Sequence, residues 1–99
     1  MPKDVIAEIS EQTRPIFQKY GIKHASVFGS FARGEAREDS DIDVLFAVDP
    51  GTFSLFDLAG MRSDLSETLG RDVDLVSERA VVPRFRDFIY RDLRVIYER

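Results

Sequence analysis

Residues 27–46 read VFGSFARGEAREDSDIDVLF. A short apolar run ends on Gly29-Ser30, a charged loop follows, and Asp41 and Asp43 stand at the head of a second apolar run. In a strand, residues two apart point to one face, so these two carboxylates lie side by side while Ile42 and Val44 point the other way. Like charges so placed repel unless a proton or a cation intervenes. A divalent metal held by both is the economical resolution. Gly29 supplies the complementary part. Glycine permits a tight turn and lets an anion approach the backbone. Ser30 then begins a short helical turn through Ala32 or Arg33, and the free N–H groups of such a start bind anions. One segment offers donors to phosphate and the next offers acceptors to metal. Together they describe a metal–nucleoside triphosphate site.

Outward from this segment, Val5, Ile6, Ile9, Ile16, Phe17 and Tyr20 recur at helical spacing. They predict a helix from Lys3 to Tyr20, stopped by Gly21. Pro15 lies inside it and is expected to kink it or to begin a second short helix. His24–Phe28 is the first strand. Asp41–Val48 is the second, mostly apolar and therefore central. Asp49-Pro50-Gly51 signals a turn. Ser54, with Asp57 three residues on, opens the next helix in the manner of a capping box. Leu55, Leu58, Ala59, Met61, Leu65 and Leu69 form its apolar stripe, and Gly70 ends it. Phe53 and Phe56 read as core or helix-start packing. Asp72–Ser77 is the third strand. Pro83 opens a last helix with Phe85, Phe88 and Ile89 facing inward, and Leu93–Tyr97 is the fourth strand. Strands and helices in this order make an α/β fold, one small sheet with helices packed on it.

Asp72 and Asp74 share one face of the third strand. If that strand neighbours the second, one of them joins the Asp41–Asp43 pair. Three carboxylates in one place suit two metals about 3.5–4 Å apart, the arrangement used for phosphoryl-type displacement. The third can also draw the proton from an incoming hydroxyl. Arg33 reads either as a phosphate ligand or as an exposed charge at a helix end. His24 reads as a strand-edge residue.

The composition narrows the chemistry. A chain of 99 residues is expected to be one domain. Its net charge of −4 argues against salt-driven binding to nucleic acid backbones. With one histidine and no cysteine, any metal must be held by carboxylates, which suit hard cations such as Mg2+. No apolar run approaches the ~20 residues of a membrane span, and Met1-Pro2-Lys3-Asp4 carries no signal-peptide core. A cytoplasmic location is expected.

Gly29-Ser30-Phe31-Ala32-Arg33-Gly34, followed by Ser40-Asp41-Ile42-Asp43-Val44-Leu45, resembles the signature of the DNA polymerase β-type nucleotidyltransferases. More narrowly it resembles their minimal nucleotidyltransferase (MNT) proteins. Val73-Asp74-Leu75-Val76 matches the later element of the pattern, which puts Asp74, not Asp72, in the third-carboxylate position. The motifs cover residues 27–46 and 72–77, while length and element order fit nearly the whole chain. The resemblance implies an α+β palm, a small mixed sheet flanked by helices. It implies transfer of a nucleoside monophosphate from Mg2+–NTP to a hydroxyl, with pyrophosphate leaving. Asp41, Asp43 and Asp74 would hold two metal ions, Asp74 would also activate the acceptor, and Gly29 and Ser30 would hold the triphosphate. Minimal members lack a helical acceptor domain, and this chain leaves no room for one after Tyr97. Such proteins are commonly paired with a HEPN toxin, to a tyrosine of which they add AMP from ATP. Three other readings compete: a non-catalytic docking antitoxin, a nucleotidyltransferase acting on a small molecule such as an aminoglycoside, and, against the acidic charge, an RNA-end transferase. A homo- or hetero-oligomer is compatible with each.

Overall fold

Among the described residues, four strands and four helices are arranged in the order α1 (Val5–Lys19), β1 (His24–Phe28), α2 (Ser30–Arg33), β2 (Ile42–Ala47), α3 (Leu55–Leu69), β3 (Val73–Ser77), α4 (Pro83–Tyr90) and β4 (Arg94–Glu98). A single 3-10 turn, Glu78–Ala80, precedes α4. The computed structural model describes residues 4–99, so Lys3, the expected start of the first helix, lies outside the described residues. The strands form one mixed sheet in the order β3-β2-β1-β4. β1 pairs antiparallel with β2 and with β4, and β2 pairs parallel with β3. A parallel neighbour needs a crossover, and α3 is that crossover. β2 is interior to the sheet, as its apolar run requires.

The helix ends follow local chemistry. Asp4 caps α1 by accepting from the N–H groups of Ile6 and Ala7. Ser54 and Asp57 form a reciprocal capping box on α3, and Gly70 closes it in the left-handed conformation. Pro15 does not start a second helix: α1 runs as one element from Val5 to Lys19. Pro15 and Glu11 both lie on the exposed side, where the Glu11 carbonyl that proline leaves without its helical donor faces solvent instead of a dry core.

The sheet has two unlike faces. Ala25, Val27, Ile42, Val44, Phe46 and Val73 pack against α1 and α3, chiefly on Phe17, Met61 and Leu65, and make the main core. The other face carries Ser26, Phe28, Asp43, Leu45, Asp74 and Val76 by strand alternation. There only a small cluster forms, in which Ile89 of α4 packs on Phe28 and Leu45.

That thin cover corrects several side-chain expectations. Of the α4 stripe, Ile89 is buried, but Phe85 and Phe88 are 50% and 58% exposed. An eight-residue helix reaches the sheet with one position, and the rest of its stripe overhangs. Leu55 and Ala59 are also exposed, so the buried stripe of α3 is Met61 and Leu65, with Leu58 and Leu69 half-buried beside them. Phe53 packs on Phe46 with ring centroids 5.5 Å apart. Phe56 does not join the core and stands 90% exposed. No helix among the described residues is long and apolar enough to cross a membrane.

Candidate active site

Asp43 and Asp74 are direct register partners on the parallel strands β2 and β3. Their side chains therefore rise side by side from the open face of the sheet. Phe28 is opposite Asp43 on β1, which puts Gly29, the next residue, against the same carboxylate. Gly29 has φ 73° and ψ −148°, a region that residues with a side chain rarely enter. A Cβ there would also drive into Oδ2 of Asp43. The glycine thus serves two needs at once: the backbone turn, and room for a carboxylate pressed against the chain.

The electrostatics single out Asp43. Its carboxyl is pushed up from the ordinary 3.8 to about 6. Burial is the largest cause, followed by the negative charge of Asp74 and then that of Asp41; a hydrogen bond with Asp74 adds to it, and Arg33 opposes it. Near neutral pH the group is therefore an anion short of positive charge, which is the condition a hard cation relieves. Asp41 precedes β2 by one residue and is exposed. Among the described residues no three His, Cys, Asp or Glu side chains are gathered tightly enough to enclose a metal ion. The donor set fits Mg2+ in charge and hardness, but it needs ligands from outside the chain, such as phosphate oxygens, to complete it.

Asp72 does not join the pair. Its carbonyl accepts the N–H of Ile42 at 3.0 Å, and with Asp41, Ser40 and Arg71 it lines a separate hollow. Ser30 begins α2, a single turn whose first N–H groups have no helical acceptor. Arg33 ends that turn, about a third exposed, with Nε 3.3 Å from Glu35 and Nη1 3.8 Å from Asp92. Its effect on Asp43 places its charge within electrostatic reach of the carboxylates. His24 lies at the far end of β1, opposite Ala47, with Nε2 3.0 Å from Glu78.

Arg71 carries a part that local sequence spacing does not suggest. Its Nη1 donates to the carbonyls of Arg37, Glu38 and Ser40 at 2.8, 2.9 and 3.1 Å. Its guanidinium also stacks over Phe31 of α2, 4.9 Å from the ring centroid. One side chain between α3 and β3 thus ties down the loop that leads into Asp41 and braces the turn that carries Ser30. Its partners lie more than thirty residues earlier, beyond any local signal.

Asp43 and Asp74 form part of the wall of a cleft of about 870 Å³. It follows β3, the edge strand, between the first turns of α3 and the Ala80–Ile89 segment.

The pattern of the family described as polymerase beta, nucleotidyltransferase, matches residues 11–99. A predicted protein adenylyltransferase of Methanocaldococcus jannaschii is 41% identical over 87 residues, 88% of this chain and 92% of that protein. Protein adenylyltransferase MntA of Thermococcus cleftensis is 28% identical and covers 92% of this chain and 91% of its own length. The solved structure of a predicted minimal nucleotidyltransferase is 39% identical, spans 95% of each chain and superposes with a TM-score of 0.78. A chain from the complex of tri-AMPylated Shewanella oneidensis HEPN toxin with MNT antitoxin shares the fold, with TM-score 0.71 and 15% identity over 96% of this chain and 74% of that one. Fold, register and family pattern agree: the chain belongs to the polymerase β-type nucleotidyltransferases, as one of the minimal members. It is an enzyme of the nucleotidyltransferase class, and its curated relatives are named protein adenylyltransferases.

Proposed function

We propose that this protein transfers AMP from ATP to a hydroxyl, a tyrosine by expectation, of a partner HEPN toxin, and so acts as an antitoxin in the cytoplasm. Residues 1–99 work as a single nucleotidyltransferase domain. The observation that carries the reading is the Asp43 carboxyl, held at about 6 beside its register partner Asp74 and backed by Gly29. A strand end that only faced solvent would have no use for that arrangement.

Asp41, Asp43 and Asp74 would hold Mg2+, two ions by expectation. Gly29 and the N–H groups at Ser30 hold the triphosphate, and Arg33 adds positive charge at its end. When bound, the metal offsets the phosphate charge and steadies the departing pyrophosphate. Asp74 accepts the proton of the acceptor hydroxyl, whose oxygen bonds to the α-phosphorus as the bond to pyrophosphate breaks. Two similar proteins support this: protein adenylyltransferase MntA, and an MNT antitoxin in complex with an AMPylated HEPN toxin.

The test is an intact-mass spectrum of each HEPN protein of the source genome after incubation with this protein, ATP and Mg2+. A gain of one or more AMP units is expected, and none with the Asp41→Asn/Asp43→Asn variant. No gain with the wild-type protein, across the four nucleotides, rejects the reading.

A further inference from the structure

The cleft beside Asp43 and Asp74 is too apolar and too open to be explained by metal and phosphate. Leu55 at the start of α3 is 82% exposed, and across the cleft Phe85 and Phe88 of α4 are 50% and 58% exposed. Phe56, which follows Leu55 in the chain, is 90% exposed. Large apolar side chains grouped in this way on a small protein mark an interaction surface. Charge gives the second half of the description. The chain as a whole is acidic, yet residues 79–91 carry Arg79, Arg84, Arg86 and Arg91 against Asp87 alone. Arg62 of α3 lines the cleft itself. None of these five arginines has an ion-pair partner among the described residues.

We infer that this cleft is the docking site of the protein acceptor, and that it takes an apolar segment flanked by acidic side chains. The inference rests on the proposed adenylyl transfer for the identity of the acceptor, but not for the chemistry of the surface. Three features converge on that occupant. The walls are apolar and aromatic, as the centre of a protein interface is. Arg62 lines the cleft and four more arginines cluster in the adjoining 79–91 segment of an otherwise acidic molecule, so this side attracts an acidic partner and repels a second copy of this chain. The floor ends at Asp43 and Asp74, so a segment seated there brings its hydroxyl to the group proposed to take the proton. A nucleotide base is the competing occupant. It would explain the aromatic wall but not a row of arginines reaching as far as Arg91, beyond the cleft.

Binding without nucleotide separates these possibilities. The probe is the HEPN protein that the wild-type chain binds, measured by calorimetry at two salt concentrations, together with the affinity of each variant for ATP–Mg2+. Phe85→Ser/Phe88→Ser and Arg84→Glu/Arg86→Glu are both surface changes, and a melting curve checks that each is folded. Each double variant is expected to weaken the complex about tenfold or more, close to 1.4 kcal/mol. The arginine pair should also flatten its salt dependence. ATP affinity should stay within about twofold for both. Unchanged HEPN affinity in both variants overturns the inference, and so does a loss of ATP affinity in the phenylalanine pair, which would place the base in the cleft. A complex that forms and responds as expected, with no AMP transferred by the wild type, upholds the surface and rejects only the adenylyl-transfer reading.

Discussion

Gly29 and Asp43 define the site between them, because neither tolerates its present position without the other being what it is. Gly29→Ala meets two obstacles, a φ of 73° that alanine resists and a Cβ inside the Asp43 carboxylate. It should destabilise the protein by about 2 kcal/mol and cut activity by roughly 100-fold or more, read by thermal melting and by AMP incorporation. Asp43 itself predicts a pH signature. Its folded pKa of about 6 exceeds the unfolded 3.8, so the folded state holds the extra proton between those values. Stability tied to that proton is complete below about pH 4 and is lost as pH rises through about 6. Since the group is half-open to solvent, the loss should be about 1 kcal/mol, a fall in Tm of roughly 5 °C in the metal-free protein. Asp43→Asn should remove this slope. Mg2+ should restore the wild-type Tm near pH 7 and do little near pH 4.5, where the carboxyl is protonated. A Tm that is flat from pH 4 to 7 in the metal-free wild type would contradict the coupling of Asp43 to Asp74.

At the scale of elements, the site is assembled from β1, β2 and β3 by pairing, and from the 34–41 loop by a single clamp. The alternation of the strands was readable in advance, and so were the capping box at Ser54 and the stop at Gly70, because each depends on residues within a turn of one another. The choice of Asp74 over Asp72 was open on spacing alone and came from the family pattern; the register Asp43–Asp74 accounts for it physically. Arg71 was invisible because its three carbonyl acceptors are set by tertiary packing. It is a positioning residue, and it acts on the path of the chain into Asp41. Arg71→Lys keeps the charge but loses the planar fork that presents one nitrogen to three carbonyls. We expect kcat to fall about tenfold with apparent Mg2+ affinity weakened by a similar factor, while KM for the acceptor changes little. Arg71→Ala should do worse and also lower Tm by a few degrees, roughly what 1 kcal/mol removes from a domain of this size. If Arg71→Lys keeps wild-type Mg2+ affinity, the clamp has no catalytic consequence.

At the scale of the molecule, one sheet face is closed by α1 and α3 and the other is left open, and that asymmetry explains where side-chain expectations failed. Helical spacing placed Phe85, Phe88 and Leu55 inward because an isolated chain offers no other use for apolar stripes. The structure leaves them lining a cleft beside the carboxylates. Periodicity registers an exposed apolar stripe and a buried one alike, and cannot distinguish the first from core. The same asymmetry bears on whether the proposed antitoxin role works by chemistry or by covering the partner. Asp43 and Asp74 border the docking cleft, but Phe85, Phe88 and the arginines beside it lie outside the Asp41–Asp43–Asp74 set, so each can be disabled by its own variants. Asp41→Asn/Asp43→Asn removes the like-charge repulsion around the site and should fold with Tm equal to or above that of the wild type. It should bind the HEPN protein within about twofold of wild type. If neutralisation is catalytic, cells carrying the toxin and this variant should not grow, although a pull-down recovers the intact complex. Growth rescued by the variant at wild-type level would assign neutralisation to the docked complex, with AMP transfer incidental to it. Rescue lost together with binding would mean that the acidic set helps to seat the partner, and that the two surfaces are one.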